Sequence, residues 1–219
     1  MKKTAILVSF AAALMLSAFT GTTHTELSAT EVTAPAKSRT YTVETNASEV
    51  KWNAKKVTGE HYGAISLKSG QLQVDKNRVT GGTFEIDMSS LTVEDIKDAG
   101  MNGKLVGHLK SDDFFGVDKH PSATFVITET TPIAKAAVGQ PNYNVKGNLT
   151  IKGITNPVSF PATITVKDGV ATAKADVTVD RTKFDIRYRS SNFFENLGDK
   201  AIYDEFTVSF NVKAKQTNS

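Results

Sequence analysis

The segment Phe206-Thr207-Val208-Ser209-Phe210-Asn211-Val212-Lys213 alternates apolar and polar side chains without a break. Successive side chains of an extended strand point to opposite faces. This stretch therefore has one hydrocarbon face and one polar face. Moving back along the chain, the same period recurs. Ala171, Ala173, Ala175, Val177 and Val179 form one row, and Val158, Phe160, Ala162, Ile164 and Val166 another. Before them come Tyr143, Val145, Leu149 and Ile151, then Ala123, Phe125 and Ile127, then Phe84, Ile86 and Met88. Ile65 with Leu67, and Val50 with Trp52 and Ala54, complete the set. Such a repeat implies a sheet curled round an apolar interior.

The punctuation agrees with the pattern. After Ser69-Gly70 the apolar parity shifts to Leu72 and Val74, which predicts a bulge or sharp bend. Asp168-Gly169 predicts a hairpin turn, because both residues tolerate positive φ. Pro161 removes a ladder donor and predicts an edge or irregular spot. One stretch, Glu94 to Leu109, reads instead as a helix with Met101, Leu105 and Leu109 on a stripe. Gly100, Gly103 and Gly107 weaken it, so a short or distorted helix is expected. The fold class is all-β: a closed antiparallel barrel of about eight strands with one short helical insertion.

The N-terminus carries a processing pattern. Lys2 and Lys3 precede an apolar run from Ala5 to Leu16 and small residues at Ser17 and Ala18, which reads as a secretory signal peptide over 1–20. Residues 21–38, rich in Thr, Ser, Ala and Glu, read as a disordered leader, and 39–215 as one domain. A lipoprotein signal needs Cys after Ser17-Ala18, and Phe19 stands there; the chain has no cysteine at all. Without disulfides, the core alone must hold the exported domain together. Removing residues 1–20 leaves 24 basic against 23 acidic residues, a balance that does not predict nucleic-acid binding.

Three blocks carry a family resemblance. His108-Leu109-Lys110-Ser111-Asp112-Asp113-Phe114-Phe115 precedes Pro121 and the strand at Ala123. Val145-Lys146-Gly147-Asn148-Leu149-Thr150-Ile151-Lys152-Gly153-Ile154-Thr155 leads into Val158. Asp180-Arg181-Thr182-Lys183-Phe184-Asp185 follows. In this order and spacing they resemble the YceI-like family of exported polyisoprenoid-binding proteins, from about Tyr41 to Lys213. The resemblance implies a lipocalin-like barrel with a helix at one side and an apolar tunnel. The tunnel would hold an isoprenoid chain, such as a polyprenyl pyrophosphate or a quinone tail. It implies a periplasmic or secreted protein with no catalytic activity and no cofactor. After Phe184 this chain has Asp185-Ile186, where the family commonly has a Gly.

The residues expected to line the tunnel are Trp52, Phe84, Ile86, Phe125, Tyr143, Leu149, Phe160, Ala173 and Phe184. The alanines of the Ala171–Val179 row leave space rather than filling it. Arg181, Lys183, Arg187 and Arg189 alternate with Phe184, Ile186 and Tyr188. If extended, they give either an anion site headed by Arg181 or a plain solvated strand face. Phe114 and Phe115 are expected to anchor a loop at the barrel mouth. His24, His61 and His120 show no paired metal spacing, so no metal is expected. The expected partner is an isoprenoid, quinone or fatty-acyl lipid, with a homodimer and a transient membrane contact left open. Two alternatives compete: a lipid or ester hydrolase centred on His108 with Ser111 and Asp112 or Asp113, and a transmembrane β-barrel, which shows the same alternation.

Overall fold

A computed structural model describes residues 38–217. The segments read as signal peptide and leader lie outside the described residues, apart from Ser38. Nine antiparallel strands follow the chain: β1 (Arg39–Val43), β2 (Glu49–Lys56), β3 (Gly59–Asp75), β4 (Arg78–Asp87), β5 (Ser122–Pro132), β6 (Tyr143–Ile151), β7 (Ile154–Lys167), β8 (Val170–Asp180) and β9 (Ile202–Gln216). Each pairs with its successor from β2 to β9, and β9 returns to β1 and β2, so the sheet is a closed up-and-down barrel.

Nine strands make eight staves. β1 pairs with the far end of β3 through Thr42↔Gln71 and its neighbours, while β2 pairs with the near end through Val50↔Ile65. Both also pair with β9, at Val43↔Ala214 and Val50↔Phe210. A 3-10 turn at Thr45–Ala47 kinks this composite stave in the middle. The five-residue β1 brings Tyr41 into the core, at 2 % exposure.

The punctuation falls where the residue chemistry places it. The β3–β4 register slips between Leu67 and Ser69, the expected bulge. Gly70 follows, and a Cβ there would lie 2.6 Å from Val43 Cγ2, so only glycine lets β1 close over the bend. Asp168 and Gly169 both have positive φ, as do Lys76 and Asn77 in the β3–β4 turn and Lys152 and Gly153 in the β6–β7 turn. Pro161 lies in an irregular region. β7 pairs with β8 only from Thr163↔Lys174 to Lys167↔Val170, whereas Ile154–Ala162 pairs with β6 alone. The Asn142 N–H donates to the Ala162 carbonyl, 2.9 Å. Even-numbered residues of that stretch thus turn their backbone groups to β6, and odd-numbered ones face the unpaired side. Pro157 and Pro161 are both odd, and neither has an N–H to offer there.

Apolar rows face inward and charged residues outward. Lys68–Glu85 and Lys146–Glu129 are exposed cross-strand ion pairs on the outer face. A bilayer-spanning barrel carries the reverse arrangement, with hydrocarbon outside, so the transmembrane alternative does not describe this fold. No described helix is long and apolar enough to cross a membrane.

The helix α1 runs Ala99–Lys110, shorter than the expected Glu94–Leu109, because Asp98 caps it and accepts from the Met101 N–H at 2.8 Å. The expected stripe is only half used: Met101 is 63 % exposed, while Leu105 and Leu109 are partly buried. Residues before α1 form a strap across β3. Thr92 N–H donates to Ala64 O at 2.9 Å, Glu94 N–H to Tyr62 O at 2.8 Å, and Trp52 Nε1 to Thr92 O at 3.0 Å. Gly63 makes this approach achievable, since a Cβ there would sit 2.0 Å from Thr92 O. Gly63→Ala should push the strap off β3. Trp52 is the only tryptophan. We expect a red-shifted Trp52 emission and about 1–3 kcal/mol lower stability in urea unfolding, the usual cost of overpacking; unchanged emission would refute the strap's dependence on this glycine.

Candidate functional site

The barrel interior is not filled. Four phenylalanines, one each from β4, β5, β7 and β9, form a chain across it: Phe84–Phe125 at 6.3 Å, Phe125–Phe160 at 5.7 Å and Phe160–Phe210 at 5.8 Å between ring centroids. Phe125 leans over Gly147 of β6, where a Cβ would be 2.4 Å from the ring. β8 runs between the Phe160 and Phe210 strands and lines the space with Thr172, Ala173, Val177 and Val179. The rings and these smaller side chains leave an inner chamber of about 140 Å³. Every residue lining it is apolar except Thr172.

A second chamber of about 150 Å³ lies above, toward the mouth. Val50, Ile86, Leu149, Val179 and Val208 line both, so the two adjoin. The mouth is covered by the two longest connections of the barrel. The β4–β5 connection supplies Met88, Leu91, Leu109, Phe114 and Phe115, and the β8–β9 connection supplies Ile186. They meet in an aromatic knot. His108 packs edge-on against Phe114 at 5.0 Å and Tyr188 at 4.6 Å, and Phe114 lies 5.4 Å from Tyr188.

Among the described residues Arg181 is the only charged one lining the mouth chamber, and it is 5 % exposed. Its Nε donates to Tyr203 O at 3.1 Å, its Nη1 to Ile186 O at 2.9 Å and its Nη2 to Ile202 O at 3.0 Å. Asp204 Oδ1 stands 3.1 Å from Nη2. Burial pulls the guanidinium below its usual pKa, while Asp204 and Asp180 oppose the shift. The side chain is thus a clasp that ties both ends of the β8–β9 connection together. The Arg181–Arg189 stretch is not extended. Arg181–Phe184 is a 3-10 turn, capped by the Asp180 side chain, and Asp185 and Arg189 take positive φ. Arg187 pairs with Asp185 at 2.7 Å, and Lys183 and Arg189 are exposed.

The expected lining residues sort by chamber. Phe84, Phe125, Phe160 and Ala173 line the inner one, Trp52 and Arg181 the mouth, and Ile86 and Leu149 both. Tyr143 and Phe184 line neither. Tyr143 starts β6 at the far end of the barrel, paired with Pro132 and Ala162. Phe184 is buried to 1 % in the 3-10 turn, where its local geometry takes it out of the strand row. Sequence reasoning missed Leu91 and Ile186 at the mouth, because they lie on irregular connections that carry no period, and it read Leu109 only as part of the helical stripe.

The His108 constellation is not a hydrolase triad. Ser111 Oγ donates to the His108 carbonyl at 2.8 Å, at the end of α1, and the imidazole Nε2 is 3.2 Å from Asp113. A nucleophile must reach its base, and Ser111 instead completes the helix end. Asp112 pairs with Lys119 at 2.6 Å. Among the described residues no cluster of three His, Asp or Glu side chains could hold a metal.

A closed meander barrel with two adjoining apolar chambers and a lid of long connections defines a lipocalin-like class of cavity proteins. Within that class the chain belongs to the YceI-like domain family, whose sequence profile matches residues 41–214. It is 31% identical over 100 residues to a UPF0312 protein of Pectobacterium carotovorum, covering 46% of this chain and 43% of that one. A UPF0312 protein of Pectobacterium atrosepticum is 40% identical over 101 residues, covering 46% and 47%. The match spans a little under half the length of these curated relatives. BcnA of Burkholderia cenocepacia has the same fold at a TM-score of 0.59 and 23% identity, over 79% of this chain and 99% of that one. A polyisoprenoid binding domain from Saccharophagus degradans superposes at 0.55 and 12%, over 81% and 98%.

Arg181→Met should strip the clasp and leave Asp204 uncompensated. A loss of about 3–5 kcal/mol in urea unfolding is expected, with Arg181→Met/Asp204→Asn recovering part of it. A loss under about 1 kcal/mol would show that the clasp contributes little.

Proposed function

We propose that this protein binds a long-chain isoprenoid or similar amphiphilic lipid inside the barrel, and carries or sequesters it in the periplasm or outside the cell. The observation that carries this is the stacking of two adjoining hydrocarbon-lined chambers, the outer one beneath the lidded end. Apolar cavities of about 150 Å³ stay dry and accept a benzene-sized guest. Each chamber therefore suits about one isoprene-sized unit, and a longer chain would run out through the mouth. Burial supplies about 0.8 kcal/mol per methylene before ordering costs, so affinity rises with chain length and needs few polar contacts.

The chemistry of the lining supports this reading. Trp52, Phe84, Ile86, Phe125, Leu149, Phe160 and Ala173 offer shape and hydrocarbon but no reacting group. A head group would sit beyond the lid, where Arg187, Arg189 and Lys183 are exposed. The polyisoprenoid binding described for the Saccharophagus degradans domain points to the same ligand class. The N-terminal signal pattern supports export.

Protein purified from a bacterial host should yield an organic-extractable lipid by mass spectrometry. Delipidated protein should take up a fluorescent polyene fatty acid, and a saturated-chain series should bind about fourfold tighter per added methylene until the chambers fill. Ala173→Asp, which sets a carboxylate in the inner chamber, should abolish uptake while the far-ultraviolet dichroism stays that of a β-barrel. Absence of uptake of every chain tested by the wild type would overturn the proposal.

A further inference from the structure

The exposed large apolar residues are not scattered over the barrel. Among the described residues they are Val57, Tyr62, Met101, Val126, Val138, Ile154, Phe193, Phe194 and Tyr203. All but Val126 and Val138 lie on or beside the connections of the mouth end. Five belong to one half of that rim: Val57 in the β2–β3 turn, Ile154 at the β6–β7 turn, and Phe193, Phe194 and Tyr203 around the β8–β9 connection. Those strands are neighbours in the order β2-β9-β8-β7-β6, so the five share one side. The Val57 N–H donates to Ala201 O at 3.2 Å, which ties the first turn directly to the β8–β9 connection. Phe193 and Phe194 are 44 % and 50 % exposed, a cost that singly occurring surface residues do not impose.

Charge divides along the same line. Residues 55–60, 152–154 and 181–205 hold eight cations (Lys55, Lys56, Lys152, Arg181, Lys183, Arg187, Arg189 and Lys200) against Glu60, Asp185, Glu195, Asp199, Asp204 and Glu205. The opposite half of the rim, residues 88–121, holds Lys97, Lys104, Lys110 and Lys119 against six carboxylates. Cations and aromatic side chains therefore share one half of the mouth. Arg187 stacks over Phe193 at 4.7 Å, so a charged and an aromatic group present together. Tyr203 joins the patch to the cavity: it is 54 % exposed and also lines the mouth chamber.

We infer that this half-rim is a docking surface for an anionic phospholipid bilayer, with Phe193 and Phe194 entering the interface and the surrounding cations meeting lipid phosphates. The inference rests on the lipid-binding reading of the cavity and adds how the cavity reaches its ligand. Aromatic side chains favour the interfacial zone, and each basic residue at an anionic surface adds attraction that falls away within a Debye length. Docked this way, the mouth opens onto the membrane. A hydrocarbon chain could then pass from bilayer to chamber without crossing water. The acidic half-rim with α1 would face away, which fixes the approach angle.

The test is flotation of the full barrel with vesicles of equal parts phosphatidylglycerol and phosphatidylcholine, against vesicles of phosphatidylcholine alone. Wild type should float with the anionic vesicles and lose most of that binding at high salt. Phe193→Ser/Phe194→Ser should bind at least tenfold more weakly, and Arg187→Gln/Arg189→Gln roughly tenfold, with melting unchanged. Phe193→Ser/Phe194→Ser should still take up the polyene fatty acid from solution. Wild type that takes up the probe but floats with neither vesicle overturns the docking surface and leaves the lipid reading standing. Flotation without uptake overturns the lipid reading instead. If sedimentation shows a wild-type dimer that Phe193→Ser/Phe194→Ser splits, and nothing floats, the patch belongs to a second copy of the chain and the proposal is wrong.

Discussion

Closure of the sheet is the constraint on which the other features depend. A barrel has no edge, so every strand must find two neighbours and every apolar row must turn to one shared interior. Closure is local work. β1 and β2 share a stave across the Thr45–Ala47 kink, and the bulge at Leu67–Ser69 bends β3 so that it serves both. Glycines stand where the curved walls come closest. A Cβ on Gly82 would be 2.8 Å from Leu72 Cδ2, and one on Gly147 would strike the Phe125 ring. Those glycines let bulky side chains lean on the wall, and the space the rings do not fill remains as the inner chamber.

The two ends of the barrel are unequal. The mouth end carries the two longest connections, which fold inward and meet at His108, Phe114 and Tyr188. Long irregular connections would leave backbone carbonyls without partners, and Arg181 answers that need by donating to three of them. Its charge is balanced by Asp204 rather than offered to a ligand. The same end is where β7 and β8 part, with Pro157 and Pro161 withholding donors along the gap and Asn156 Nδ2 bridging to the Lys183 carbonyl at 2.8 Å. Packing is thus least regular at the mouth end.

Much of the wall was legible as sequence because a strand of period two writes its burial directly into residue order. The rows Phe84–Ile86, Ala123–Phe125 and Phe206–Val212 face inward as their alternation requires, and Asp168-Gly169 makes the turn its backbone preferences predict. β1 escaped notice, since five residues hold too few alternations to stand out. Arg181 was legible as a cation but not as a clasp: alternation extended the strand through a stretch that the Asp180 cap turns into a 3-10 helix. Met101 looked like part of an inward stripe, yet α1 lies shallowly enough on the barrel to leave it in solvent.

Alternation along the chain by itself determined the all-β class, the inward-facing rows and the approximate number of staves. These are consequences of near-neighbour geometry. The residues that share a chamber, the lid over the mouth and the gathering of Phe193, Phe194 and Tyr203 beside the cations of neighbouring turns were decided only by the closed tertiary structure. Each depends on contacts between segments far apart in the chain, made by irregular loops whose residue order carries no period to reveal where they fold.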